Sequence, residues 1–260
     1  MKLNGLRVLN TRPLDQGVSL NQAIEDAGGI PIVLPALTIE PSADAWLKKL
    51  PPLAQVEHAI FISTNAINYF FSKLKQLRLI WPATIETTAI GQSSANALEK
   101  WKISVDHVPA MADSEHLLQF DFLQQIKNQT ILLVKGEGGK IDITNTLLTR
   151  GANLISIDVY RRILPNISPQ RIYSLWHDDV VDIILFTSQQ SIQNIFTLFG
   201  ENGRSWLCKT PCVVISERLA EAASLLGMQT IFVSRYDTIL NTLEGILSGQ
   251  TRGFIHDNQQ

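Results

Sequence analysis

Phe61-Ile62-Ser63-Thr64-Asn65-Ala66-Ile67 is echoed 125 residues later by Phe186-Thr187-Ser188-Gln189-Gln190-Ser191-Ile192. A second stretch, Ala89-Ile90-Gly91-Gln92-Ser93-Ser94-Ala95, is echoed at the same offset by Val214-Ile215-Ser216-Glu217-Arg218-Leu219-Ala220. In all four an apolar run ends in small polar residues and a helical pattern follows. That is the grammar of a buried strand, a tight turn and a helix N-terminus. Free backbone N–H groups and the helix dipole make such turns anion sites. Two matched sets predict two similar lobes with a ligand held between them.

Outward from these turns, short apolar runs alternate with amphipathic ones. Strands are expected at 7–10, 30–34, 58–62, 87–90, 104–107, 131–134, 154–159, 182–186, 212–215 and 230–233. Helices are expected at 16–27, 66–74, 94–100, 141–150, 191–199, 219–226 and 238–247. Gly28-Gly29 and Gly151 supply helix stops. Continuous apolar strands such as Ile183-Ile184-Leu185-Phe186 indicate burial on both faces, so the class is α/β with parallel sheets. A second repeat pairs Val8-Leu9-Asn10-Thr11-Arg12, with its helix and next strand, with Leu132-Leu133-Val134-Lys135-Gly136 and its own. The order is two-strand unit, three-strand unit, two-strand unit, three-strand unit. One of each makes a complete five-stranded flavodoxin-like sheet. Tandem and nested pairings both satisfy that order. Nested pairing would carry the chain between lobes near 35–40 and 160–165.

The chain has 260 residues, 45% hydrophobic and 18% charged, enough for two modest domains with sizeable cores. A formal net charge of −2 gives no general attraction to nucleic acid or to an anionic membrane. The opening residues carry no apolar signal core, and no apolar run is long enough to span a bilayer. Cys208 and Cys212 make no disulfide framework, which favours a reducing cytoplasm. Residues 249–260 read as a frayed tail.

Each motif also has a plainer reading. Ser63, Thr64 and Asn65 are good helix caps; their recurrence at Thr187 and Ser188 favours a paired anion site. The turn from Gly136 through Gly138 and Gly139 to Lys140 is not a dinucleotide fingerprint, because Ile141 stands where the third glycine belongs. Nor is it a P-loop, because Val134 stands where the first glycine belongs. It reads either as a surface turn or as a nest of N–H groups holding a carboxylate with Lys140 assisting. Tyr160 is either a packing residue or a general acid. Arg12, Arg161 and Arg162 suit carboxylates. Neighbours on a strand face opposite ways, so one of the two crossover arginines is solvent-exposed. The five histidines show no metal spacing, and no Ser-His-Asp set or paired carboxylate is indicated.

Taken in order, these motifs resemble one family. Val8-Leu9-Asn10-Thr11-Arg12-Pro13 is similar to its opening strand and Thr-Arg-Pro turn. Phe61 to Ile67 is similar to its Phe-Thr-Ser turn, and Ile90-Gly91-Gln92-Ser93-Ser94-Ala95 to its second turn. Lys135-Gly136-Glu137-Gly138-Gly139-Lys140 resembles its glycine-rich turn, and Val159-Tyr160-Arg161-Arg162 its crossover. The family is uroporphyrinogen-III synthase of tetrapyrrole biosynthesis, and the resemblance runs from about Leu6 to Leu247. It implies two nested flavodoxin-like lobes joined by a two-stranded connection, residues 1–36 with 163–260 forming one and 37–162 the other. It implies a lyase that cyclises hydroxymethylbilane, with inversion of ring D and loss of water. No cofactor and no metal are implied. The implied partners are the small-molecule tetrapyrrole and a transient handover from the upstream deaminase, with no nucleic acid and no membrane, for a cytoplasmic monomer. Tyr160 is then the catalytic group. Arg12, Ser63, Thr64, Asn65, Gly91, Ser93, Ser94, Lys135, Gly136, Gly138, Gly139, Lys140, Thr187, Ser188 and Ser216 are the substrate-binding set. One departure is that Ser216 and Leu219 stand where the family has Gly and Thr. That departure leaves room for the alternative reading, a non-catalytic two-lobe protein that binds a tetrapyrrole or small anion.

Overall fold

The computed structural model describes residues 2–138, 141–250 and 254–255. The chain divides into two compact units, Met1–Thr38 with Ile163–Gln260, and Ile39–Arg162. In chain order the strands are β1 (Arg7–Asn10), β2 (Ile30–Val33), β3 (Thr38–Pro41), β4 (His58–Phe61), β5 (Glu86–Ala89), β6 (Thr130–Gly136), β7 (Asn153–Ile163), β8 (Ile183–Phe186), β9 (Cys212–Val214), β10 (Thr230–Val233) and β11 (Phe254–Ile255). The helices are α1 (Leu14–Asp26), α2 (Thr64–Gln76), α3 (Gln92–Lys100), α4 (Ser114–Leu118), α5 (Ile141–Thr149), α6 (Pro169–His177), α7 (Gln189–Lys209), α8 (Glu217–Leu225) and α9 (Ile239–Leu247).

The first unit holds a six-stranded sheet in the order β11-β10-β9-β8-β1-β2. Its strands pair in parallel except β11, which runs antiparallel to β10. Successive side chains on each strand point to opposite faces. Leu9, Ile184, Phe186, Cys212 and Val214 pack under α6, α7 and α8, and Val8, Ile183, Leu185 and Val213 pack under α9. Both faces are thereby covered, which is what the unbroken apolar runs require. Burial pushes the Cys212 thiol up to about 12, which leaves it an inert core residue.

The second unit holds the order β3-β7-β6-β4-β5. Pairings β5·β4, β4·β6 and β6·β7 are parallel. Ala59, Phe61, Leu132 and Val134 face one core, and Ile60, Ile131 and Leu133 the other. Read across the sheet, β7-β6-β4-β5 places its glycine-rich strand β6 beside its serine-turn strand β4. The first unit likewise places β1 beside β8.

Several expectations are corrected. The strand expected at 104–107 is reduced to one parallel bridge, Thr88 to His107. The Asp106 carboxylate accepts the Thr87 N–H at 2.7 Å, in place of a ladder carbonyl. The helix expected to end at Phe199 does so, because Gly200 (φ 59°, ψ −166°) breaks the helical backbone; a second helical stretch, not expected, follows it to Lys209. Part of the expected tail is a strand, since Phe254 and Ile255 pair with β10; residues 251–253 and 256–260 lie outside the described residues. Helix α6 was not expected, although Ser168, which caps it, and Pro169 at its first position are start signals.

Arg7 and Asp182 fasten β1 to the start of β8. The Asp182 carboxylate accepts the Arg7 backbone N–H at 2.7 Å and its Nε–H at 3.0 Å. The Arg7 side-chain bonds chiefly hold the Asp182 carboxyl below the usual range, against the opposing effect of burial. A depressed carboxyl contributes stability above its unfolded pKa of about 3.9, and this is lost as pH falls through the lower folded value. Asp182 is 35% exposed, so solvent screening keeps the contribution of the pair small. Asp182→Asn is expected to melt below the parent at pH 7. The difference should close as the pH is lowered below about 4, and a constant gap down to pH 2 would rule out the linkage.

Candidate functional site

In the second unit the ends of four parallel strands surround one cavity of about 400 Å³. Its lining includes Ile62 and Ser63 after β4, Ile90 after β5, Gly136 and Gly138 at the end of β6, and Tyr160 and Arg162 on β7. Ala112, Asp113 and Ser114 complete the wall beside Ile143. Parallel α/β sheets bind ligands at this edge because strand carbonyl ends and helix N-termini meet there.

Tyr160 is 2% exposed, and its ring lies directly over Gly136. A Cβ on Gly136 would fall 2.4 Å from Tyr160 Cζ. Glycine at 136 therefore serves close packing, and the residue is the last of β6 rather than part of an open turn. Tyr69 stacks on the ring at 6.0 Å between centroids. The phenol oxygen accepts the Arg162 Nη2–H at 2.7 Å and the Ser63 hydroxyl at 3.2 Å. Two donors occupy its lone pairs, so the phenol proton is left to donate into the cavity. Donation by the guanidinium polarises the O–H and strengthens it as a donor.

Ser63 also caps α2, accepting the Ala66 N–H at 3.1 Å. It thus ties the helix start to the phenol. Gly138 has φ +70°, the left-handed region that suits glycine. Gly139 and Lys140 lie outside the described residues. Lys135 pairs with Asp158 at 2.6 Å and is not among the cavity-lining residues. Gly91 is buried at the start of α3, and a Cβ there would lie 2.5 Å from Ala112 Cβ. Its missing side chain admits the 111–114 segment to the wall. Thr64 donates to the Ser93 carbonyl at 3.3 Å, and Ser94 is 2% exposed with its N–H on the Gly91 carbonyl. Thr64, Asn65, Ser93 and Ser94 shape the turns without lining the cavity.

The remaining expected residues belong to the first unit, at the equivalent strand ends. The Arg12 guanidinium lies over the Tyr236 ring, 4.8 Å from its centroid, and donates to the Tyr236 hydroxyl. Thr187 follows β8 and is half-buried. Ser188 caps α7 through the Ser191 N–H at 3.1 Å, and Ser216 caps α8 through the Leu219 N–H at 3.4 Å. Leu219 is 3% exposed and packs in the core, so the position where the family has Thr faces inward here.

Asp113 and Ser114 line the cavity but were not foreseen as site residues, and of the two crossover arginines it is Arg162 that lines it. Strand parity points to Arg162, because residues 160 and 162 share a face of β7 and Arg161 turns away to pair with Glu40 at 2.5 Å. Asp113 has a local signal, since it caps α4. Among the described residues no group of three or more His, Cys, Asp or Glu side chains is placed to hold a metal. No described helix is long and apolar enough to cross a membrane.

Comparison with known proteins agrees with this geometry. The chain is 28% identical over 235 residues to the uroporphyrinogen-III synthase of Escherichia coli K12, covering 88% of this chain and 95% of the relative. It is 26% identical to that of Synechococcus elongatus, covering 94% of each. A crystallised mutant uroporphyrinogen III synthase from Thermus thermophilus superimposes with a TM-score of 0.64 at 19% identity, covering 94% of this chain and 98% of that one. The Helicobacter pylori uroporphyrinogen-III synthetase structure gives 0.59 at 16% identity, covering 94% and 99%. At these identities the two structures speak to the α/β fold alone. The family model for uroporphyrinogen-III synthase HemD matches residues 18–240, and the chain therefore belongs to the uroporphyrinogen-III synthase family.

Proposed function

We propose that the chain is a cyclising hydro-lyase that converts hydroxymethylbilane to uroporphyrinogen III, built as two nested flavodoxin-like lobes joined through β3 and β7. The observation that carries this reading is the Tyr160 phenol, which lines the cavity and whose oxygen is held by two donors, Arg162 and Ser63. In the reaction the terminal C–O bond breaks heterolytically. The oxygen leaves with the bonding pair, takes the phenol proton and departs as water. The pyrrole nitrogen lone pair forms the new double bond, which leaves one positive charge on that ring. A ring D carbon attacks through a spiro-type intermediate, and the pyrrole carbon that closes the macrocycle releases a proton back to the phenolate. The sum is loss of one water with no redox change. The pyrrole supplies most of the driving force, so the protein's main contribution is to position the chain so that the correct carbon attacks. Backbone N–H groups at helix starts suit the substrate carboxylates without requiring net positive charge.

The test is a coupled assay with porphobilinogen and the preceding deaminase, resolving the type I and type III isomers. The type III isomer should form in proportion to the amount of this protein. Type I alone, at every concentration, would overturn the reading.

A further inference from the structure

The cavity at the strand ends of the second unit is lined by side chains of opposite charge. Arg162 belongs there on any account of a polycarboxylate ligand. Asp113 does not. A carboxylate beside a site for a polyanion repels it at short range, and is useful only to a centre that is, or becomes, positive.

His116 holds the Asp113 carboxyl at a fixed place. Its Oδ1 accepts the His116 backbone N–H at 2.8 Å, and both carboxylate oxygens lie 2.9 Å from His116 Nδ1. These bonds, the backbone one first, keep the carboxyl below the usual range. The close approach of Ala112 to Gly91 packs the segment onto the start of α3, and the Asp113 N–H closes a turn on the Met111 carbonyl at 2.9 Å. The plainer role, capping α4, uses one oxygen, and the His116 ring lies against both. Asn or Ser would cap as well.

We propose that Asp113 is a second catalytic residue, whose carboxylate accepts the pyrrole N–H of the ring that loses hydroxyl and neutralises the positive charge developing there. The inference rests on the cyclising activity proposed above. The Tyr160 phenol supplies the proton that leaves with the oxygen, and Asp113 faces the charge left behind. The carboxylate forms no bond and takes no proton, so the atom balance of the reaction is unchanged.

The test is Asp113→Asn together with Asp113→Ser, both neutral and both good caps, in the type III isomer assay with thermal melting beside it. Both variants should melt with the parent and lose kcat about tenfold. That is less than the ~10²–10³-fold for a buried charge-stabilising donor, because Asp113 is 38% exposed. KM should stay level or fall, because a negative charge facing a polyanion has been removed. Asp113→Glu should recover part of kcat. Parental kcat in either neutral variant would overturn the proposal, as would a raised KM at parental kcat. A parallel fall in melting temperature and activity, restored on cooling, would assign Asp113 to capping and equally overturn it. A parent protein that makes no type III isomer would instead sink the cyclase reading, so the two failures are distinguishable.

Discussion

Tyr160→Phe is expected to lower kcat roughly tenfold to a hundredfold while the fold survives. The ring lies over Gly136 and against Tyr69, and phenylalanine keeps that volume. What is lost is one cavity-lining hydroxyl that accepts from Ser63 and Arg162. General-acid assistance is typically worth ~10²–10⁴-fold. The lower end applies because the pyrrole nitrogen also drives departure of the leaving group. Ser63 keeps its bond to the Ala66 N–H, and the Arg162 head is solvent-accessible, so the stability cost should be about 1 kcal/mol. The measurement is type III isomer turnover on the purified variant with a melting curve beside it. Parental turnover would leave Tyr160 as a packing residue.

Gly136→Val is expected to do more damage, and of a different kind. The sequence alone suggests that valine here would spoil a ligand-binding turn and spare the fold. Packing argues for a cost to the fold as well, because the position is buried in β6 with the Tyr160 ring 2.4–2.7 Å from where a Cβ would stand. The ring is rigid and has Tyr69 on it, so it cannot yield at its tip as a flexible chain would. Overpacking of this sort costs about 1–3 kcal/mol, or a fall in Tm of roughly 2–4 °C per kcal/mol for a chain of this size. Because the displaced ring carries the phenol, turnover should collapse even below the melting transition. Gly138→Ala is the contrast. It has open space around it and only an unfavourable φ of +70° to bear, so it should leave Tyr160 in place. A Gly136→Val protein with parental Tm and turnover would refute the packing account.

The parts of this molecule that could be read in advance are those with local causes. Strands buried on both faces announce themselves as apolar runs, and Ser63, Ser188 and Ser216 announce helix starts because each caps its own chain three residues on. Residue 162 was within reach through strand parity. Asp113 was harder to foresee, because the 111–114 segment has no period and reaches the cavity only through the space left at Gly91. The function of Gly136 was hidden for the same reason, since a glycine-rich string does not reveal which ring lies on it. The 104–107 edge was misjudged because a side chain, Asp106, took over a bond that the ladder would have made.

The placement of the inserted unit bears on how the protein is made on the ribosome. Strand β1 pairs with β8, Leu9 beside Ile184, so the first unit cannot complete its sheet until residues far downstream have emerged. Until then β1 has only β2, and a lone two-stranded pair is marginal in water. The second unit, by contrast, is one continuous stretch that can fold as soon as β7 is synthesised. Its folding brings β3 next to β7 in the same sheet. That adjacency turns a long flexible tether between the two halves of the first unit into a short clasp. The chain entropy lost on joining β1 to β8 falls accordingly, because that loss grows with the number of mobile residues enclosed. The late-made half therefore has a shorter effective loop to close when β8 pairs with β1.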